Sequence, residues 1–247
     1  MKLSISAASF IGCVREKNED MVLVGDRFVR NEEVHTEVSL DESGRYIIAV
    51  ADGMGGYSGG EVASSETLHS LQYFFSDVPS NMDEQSLKGA LDSWLRNIIS
   101  RIQSLSRTKP ELADLGTTLV AFIYHNHNFY WINCGDSRLY RMNNGFLSQL
   151  STDHSLNEEM GQERHSHVVT NCIGGGSGQG FIDFVCVTDN VHPGDRFMLC
   201  SDGLTDMLND GIIESLLENG ADAVALCHEA DERGGFDNVS VAVIEVQ

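Results

Sequence analysis

The chain has 247 residues, 41% of them hydrophobic, and a net charge of −21 from 37 acidic and 16 basic side chains. That core fraction suits one large folded domain, and the charge makes nucleic acid and anionic membrane surfaces poor partners while favouring cations. No apolar run approaches the roughly 20 residues of a membrane helix, and the N-terminal MKLSISAASFIGCVREKNED lacks the apolar stretch of a secretory signal, so a soluble cytoplasmic protein with no membrane partner is expected.

In chain order, apolar runs predict strands over 21–28, 46–51, 117–124, 129–134, 138–142, 181–187, 196–200 and 239–246. Asn143-Asn144-Gly145 marks a hairpin, because Asn-Gly accepts the positive φ of a tight turn. A helix is predicted from Glu61 to about Phe75. A second carries Leu87, Leu91, Trp94, Leu95, Ile98, Ile99, Ile102 and Leu105 at three- and four-residue steps, one apolar face that must pack on a sheet. Two shorter helices follow over 210–219 and 221–232. Many antiparallel-type strands with helical pairs between them predict an α+β fold, helices covering stacked sheets, in a single domain over 1–247. The six cysteines are scattered with no C-x-x-C pair and read as reduced core residues.

Three carboxylates share one setting, the junction of an apolar strand with a glycine-containing turn. They are Asp52 before Gly53, Asp202 before Gly203, and Asp237 after Gly234-Gly235-Phe236. Each alone reads as a turn. If the strands share a sheet, however, their ends converge, and carboxylates on rigid strands are what a hard-cation site requires. Asp136 adds a fourth strand end, and Glu19-Asp20 lie just before Met21. Such a cluster repels itself unless protons or cations neutralise it. Two divalent ions, magnesium or manganese given an oxygen-only shell, would do so and would serve an in-line phosphoryl displacement. Arg15, four residues before Glu19, offers paired donors to a phosphate or else forms a salt bridge.

Together Gly12-Cys13-Val14-Arg15-Glu16-Lys17-Asn18-Glu19-Asp20, Ala51-Asp52-Gly53-Met54-Gly55-Gly56, Gly116-Thr117-Thr118, Asn133-Cys134-Gly135-Asp136-Ser137-Arg138, Thr152-Asp153-His154-Ser155, Cys200-Ser201-Asp202-Gly203-Leu204-Thr205-Asp206 and Asp237-Asn238 occur in the order of a known family. The chain resembles the bacterial PPM-type (protein phosphatase 2C-like) Ser/Thr phosphatases over nearly its whole length.

That resemblance implies an antiparallel β-sandwich flanked by helices on both sides. It also implies metal-dependent hydrolysis of phosphoserine and phosphothreonine on proteins by a metal-bridging hydroxide, without a covalent intermediate. By the same resemblance Asp52 bridges two metals (manganese or magnesium), the Gly53 carbonyl contributes to one, Asp202 and Asp237 complete the other, and Glu19 and Asp20 hold metal-bound waters. Asp136 with Asp202 matches a weaker third site, Arg15 matches the phosphate-binding arginine, and Gly116-Thr117-Thr118 and Asn238 are architectural. The expected partners are phosphorylated proteins, targets of a Ser/Thr kinase, met by a monomer. Two departures stand out. Met54 follows the Asp-Gly pair where eukaryotic relatives have a histidine. The flap, 156–167, is short, which implies weak discrimination among flanking sequences, with basic flanks mildly favoured by Glu158, Glu159 and Glu163 despite Arg164, His165 and His167.

Other readings are a phosphatase-like sensor module without turnover, and a serine hydrolase through Ser58 in Gly56-Tyr57-Ser58-Gly59-Gly60. Ser58 lies six residues past Asp52 rather than at the strand-to-helix turn, which argues against the latter. His125, His127, His165 and His167 read as exposed loop histidines rather than zinc ligands. The glycine-rich run 174–180 lacks a phosphate-loop lysine and reads as a flexible turn.

Overall fold

The computed structural model describes residues 1–40, 44–55, 59–108, 112, 114–160, 168–176 and 179–247. The first half runs β1 (Lys2–Phe10), β2 (Met21–Val24), β3 (Arg27–Val29), β4 (Glu32–Ser39), β5 (Arg45–Ala51), β6 (Gly53–Met54), α1 (Gly59–Asp77) and α2 (Glu84–Thr108). Then come β7 (Gly116–Thr117), β8 (Leu119–His125), β9 (Asn128–Cys134), β10 (Arg138–Asn143), β11 (Phe146–Gln149) and α3 (Leu156–Met160). The last part holds β12 (Ile173–Gly174), β13 (Asp183–Cys186), β14 (Arg196–Cys200), α4 (Asp202–Thr205), α5 (Asp210–Glu218), α6 (Ala223–Glu232) and β15 (Val239–Val246).

Two six-stranded sheets stack face to face. One has the order β11-β10-β14-β15-β1-β4, the other β13-β9-β8-β5-β2-β3, and every adjacent pair is antiparallel. The period of two along a strand divides its residues between two faces. In β5, Ile48 and Val50 enter the core between the sheets with Leu3, Ile5, Phe122, Phe197 and Ile244, while Ile47, Ala49 and Ala51 meet α1 and α2. The outer face of the other sheet buries Tyr140, Met198, Cys200 and Val241 against α4, α5 and α6. Covering both faces is why β5 and β8 read as unbroken apolar runs. The α2 face from Leu87 to Ile102 is buried as its spacing predicts. Each such side chain contributes roughly 1.5–3 kcal/mol by leaving water. Among the described residues no helix is long and apolar enough to cross a membrane.

Several sequence expectations need correction. The run 21–28 is a hairpin of β2 and β3, turned at Gly25, whose φ of +65° is left-handed and whose Cβ position would meet the Tyr46 ring at 2.9 Å. The run 117–124 divides at Thr118, because β7 leaves the large sheet to pair with β6 and β12. The helix expected over 221–232 begins at Ala223, since the Asp222 side chain accepts the Ala225 N–H at 2.9 Å and so caps it. The strand expected over 181–187 is shorter, Asp183–Cys186. His125 is not a loop residue: it ends β8, is fully buried, and its Nε2 lies 3.0 Å from the Pro79 carbonyl oxygen, while His127 is exposed. Four cysteines are buried, but Cys13 and Cys186 are exposed. The glycines 174–176 are not a loose turn, because Gly175 donates to the Leu115 carbonyl and a Cβ on Gly116 would sit 2.6 Å from the Gly175 nitrogen. Ser177 and Gly178 lie outside the described residues, as do Gly56, Tyr57, Ser58 and the flap residues 161–167.

Candidate active site

Strand register assembles the site. Met21 pairs with Ala51, so Asp20 and Asp52, one residue beyond each on the same rim, become neighbours. Arg138 pairs with Cys200 and Cys200 with Val241, which carries Asp136, Asp202 and Asp237 to that rim from three adjacent strands. A cleft of about 240 Å³ results, lined by Arg15, Glu19, Asp52, Gly53, Met54, Gly55, Thr118, Asp136, Val169, Asp202 and Asp237. Seven of the eight residues expected to serve the chemistry therefore line it. The eighth, Asp20, is only 1% exposed and lies behind the others.

The Asp52 backbone and the Asp20 side chain are fixed from below. The Asp52 N–H donates to Thr118 Oγ1 at 3.0 Å, and its carbonyl accepts from Thr117 Oγ1 at 2.8 Å and the Thr118 N–H at 2.9 Å. Thr118 Oγ1 also lies 2.6 Å from Ser137 Oγ, beside Asp136. Asp20 Oδ2 accepts from Ser201 Oγ at 2.8 Å, and Ser201 Oγ accepts the Ser240 N–H at 3.0 Å. Ser240 Oγ reaches Ser9 Oγ at 2.8 Å, and Asn18 Nδ2 donates to the same Ser9 oxygen at 2.9 Å. This buried chain ties β1, β14 and β15 to the loop that carries Glu19 and Asp20. Asn238 closes it, accepting the Glu19 N–H at 2.8 Å and donating to the carbonyls of Ile11 and Lys17.

At several glycines backbones approach one another too closely for side chains, and two of these lie beside Asp202 and Asp237. A Cβ on Gly203 would overlap the Asn238 carbonyl, and one on Gly12, whose φ is +77°, would overlap that of Asp237. Gly203→Ala is therefore expected to cost about 1–3 kcal/mol or more, since backbone cannot yield as a side chain would. Thermal unfolding of the variant checks this, and an unchanged midpoint would contradict the packing.

Sequence reasoning missed two supports. Arg30 donates through Nε to the Asp20 carbonyl at 2.7 Å and through its NH2 group to Ser64 Oγ at 2.7 Å and the Glu61 carbonyl at 3.2 Å, clamping the Asp20 loop to α1. His154 Nδ1 accepts the Gly135 N–H at 3.1 Å and its Nε2 lies 3.0 Å from Asp183 Oδ2, which fixes the turn ahead of Asp136. Asp153-His154 stood in an ordered motif, but nothing in the sequence ties it to Gly135. Arg138 is taken by Asp153, at 2.7 Å, and Tyr140.

The electrostatics follow from crowding. Burial, then the charges of Asp20, Asp202 and Asp136, hold the Asp52 carboxyl well above the ordinary carboxylate range. Burial pushes Asp20 up to about 7, against hydrogen bonds from Ser201 and Ser240, with Asp202 and Asp237 adding to the rise. Burial and Asp202 likewise push Asp136 up to about 7. Burial raises Glu19, although N–H groups of Glu61 and Gly60 in the first turn of α1 favour its charged form. Arg15 donates to Asp237 Oδ2 at 2.6 Å.

This donor set fits divalent cations. Its oxygens come from carboxylates that repel one another, and positive charge restores their ionised forms. Among the described residues no three His, Cys, Asp or Glu side chains stand as a ready-made cage. Magnesium needs none, since it keeps several waters and takes one or two carboxylates.

A pH dependence follows. These acids are raised in the folded chain, which therefore binds more protons than the unfolded one between their ordinary and raised values. Without metal, the stability these groups contribute is full below about pH 4 and is lost as pH rises through about 7, and manganese should restore it at pH 7. Melting temperatures at both pH values, with and without the ion, check this; a metal-free midpoint that rises with pH over that range would contradict it.

Known proteins resemble this chain in sequence and fold. The protein phosphatase 2C family model matches residues 33–222. The chain is 32% identical, over 99% of its length, to the serine/threonine protein phosphatase PstP of Mycobacterium tuberculosis, of which it spans 45%. It is 29% identical over 81% of its length to the serine/threonine phosphatase stp of Listeria monocytogenes, covering 84% of that protein. Among solved structures, the S. agalactiae serine/threonine phosphatase matches with a TM-score of 0.84 at 25% identity, covering 99% of this chain and all of that one. The catalytic domain of PstP in complex with 2 manganese ions matches at 0.76 and 29% identity, covering 99% and 100%. With one family model running from within β4 to the residue before α6, and the same fold shared along almost its entire length, the chain belongs to the protein phosphatase 2C family.

Proposed function

We propose that residues 1–247 form one catalytic domain that hydrolyses phosphoserine and phosphothreonine on proteins phosphorylated by a Ser/Thr kinase, in a metal-dependent reaction. One observation carries the reading: Glu19, Asp52, Asp136, Asp202 and Asp237 line a single cleft with a guanidinium, Arg15, at its mouth. The relatives, serine/threonine phosphatases by name, and the two manganese ions of the PstP structure support it.

Asp52, the Gly53 carbonyl, Asp202 and Asp237 would hold two cations, with Glu19 and Asp20 supporting their waters and Asp136 with Asp202 offering a third, weaker position. When bound, the cations would supply an activated water and the charge that offsets the phosphoryl oxygens. The chain's part is positioning. Thr117 and Thr118 fix the Asp52 backbone, Ser201 orients Asp20, and Asn238 sets the loop that presents Glu19. Arg15 exchanges Asp237 for the substrate's phosphate oxygens, a pairing that guanidinium geometry suits.

Among the described residues, the one hydroxyl that lines the cleft is otherwise engaged. Thr118 Oγ1 is already bonded to Asp52 N–H and Ser137, so direct attack by water, with no covalent intermediate, is the simpler route. Among the described residues no histidine lines the cleft. Phosphate release from a small aryl phosphate and a phosphothreonine peptide, with and without chelator, tests the reading. Release from both that stops on chelation is expected; binding of the phosphopeptide without release, or release that chelator leaves untouched, would overturn it.

A further inference from the structure

Beside the carboxylate cleft lies a larger groove of about 610 Å³, and Arg15, Asp202 and Asp237 form a wall common to both. Gly203, Asp206, Met207 and Phe236 complete its lining. Phe236 and Met207 have no part in the chemistry above, yet Phe236 is 63% exposed, a costly position for so large a ring. Its place is nonetheless defined. The ring lies against the turn before it, where a Cβ on Gly234 would come 3.0 Å from Phe236 Cε2 and 3.2 Å from Cζ. Met207 is partly buried against the core under α5 and α6, so it too is anchored. Gly203 adds only backbone to the lining, since a Cβ there would face the Asn238 carbonyl and not the groove.

We propose that this groove is a substrate subsite for an aliphatic or aromatic side chain two residues from the phosphorylated serine or threonine. The proposal rests on the phosphatase reading. In an extended segment, side chains two apart point the same way about 7 Å from one another. A phosphorylated residue in the carboxylate cleft therefore sets the one two positions away into the adjoining groove, with no turn in the segment. Phe236 and Met207 offer that side chain apolar surface on two sides. Of the three acidic residues in the lining, Asp202 and Asp237 belong to the wall shared with the catalytic cleft, Asp237 already binds Arg15 at 2.6 Å, and Asp206, which is exposed, belongs to the groove alone. The contact comes from the rim of the sandwich and not from the flap, so flanking residues are discriminated despite the short flap.

Four phosphothreonine peptides, alike except for leucine, glycine, lysine or glutamate two positions from the phosphothreonine, test this in the full chain with manganese. kcat/KM is compared between peptides within each protein, so changes common to all peptides cancel. The wild type should favour leucine over glycine by roughly tenfold, the scale of partly burying one such side chain. Phe236→Ala should bring that ratio close to one, and Phe236→Leu should keep most of it. Met207→Ala should lower it in part, and carries the test if Phe236→Ala does not fold. An unchanged ratio in the folded alanine variants would overturn the subsite. So would a lysine preference over leucine that disappears in Phe236→Ala, since the ring would then serve a cation. Turnover of leucine and glycine peptides at equal rates by the wild type sinks the groove alone; no turnover of any peptide sinks the phosphatase reading and the groove with it.

Discussion

Asp52→Asn is expected to lower phosphate release by about a thousandfold or more while leaving the chain folded. Asp52 sits where β5 meets β6, held by Thr117 and Thr118, and faces Asp202 and Asp136 across the cleft. An amide keeps the shape but brings no charge to hold a divalent ion. The same change has the opposite effect on the metal-free chain. Burial and neighbouring carboxylates raise Asp52 well above its ordinary range, so its ionisation at pH 7 works against folding, and the neutral amide removes that penalty. The variant should thus melt at or above the wild-type temperature without metal and gain less when manganese is added. Unfolding of the variant under conditions where the wild type is folded would show instead that Asp52 is structural.

Arg15→Ala should raise KM by about ten- to a hundredfold, the scale of charge-assisted hydrogen bonds to a phosphate, and should lower kcat less. The ion pair with Asp237 sharpens this expectation. Because the guanidinium occupies Asp237 Oδ2, its removal frees a carboxylate proposed to hold metal, so manganese affinity should hold or increase. Arg15 is more than half exposed, so loss of the pair should change stability little. Steady-state kinetics and a manganese titration on the same variant check both halves. Weakened metal binding with KM unchanged would place Arg15 in the support of the metal site rather than on the substrate.

What the sequence reveals depends on whether a signal is local. Asp52 and Asp202 are legible because each follows an apolar strand and precedes a glycine, and Asp237 because it joins a glycine-containing turn to the start of β15; adjacent strands in one rim make such ends converge. β5, β8 and α2 are legible because two covered faces, or one, leave an unbroken or periodic apolar pattern. β1 is not, although it lies inside its sheet between β15 and β4. Its serines hide it: Ser6 Oγ accepts the Ala223 N–H at the start of α6, and Ser9 belongs to the buried chain beneath Asp20, so polar residues fill core positions for long-range reasons. The hairpin at Gly25 is marked locally by Gly25-Asp26-Arg27, a turn signal that a single strand over 21–28 passes over. His125 looks like part of a loop because Asn126 and His127 turn with positive φ just after it, while the Pro79 carbonyl that covers it is remote in sequence. Arg15 could be placed near Glu19 by spacing, but its partner Asp237 lies at the other end of the chain.

The most direct measurement is to strip the purified chain of metal, add manganese stepwise, and follow bound ions per chain and phosphate release from a phosphothreonine peptide on the same sample. The carboxylate cleft predicts no release at the start and activity that returns as two ions bind per chain, with the melting temperature at pH 7 rising alongside. Full turnover by metal-free protein, or binding of two ions with no release, would contradict it.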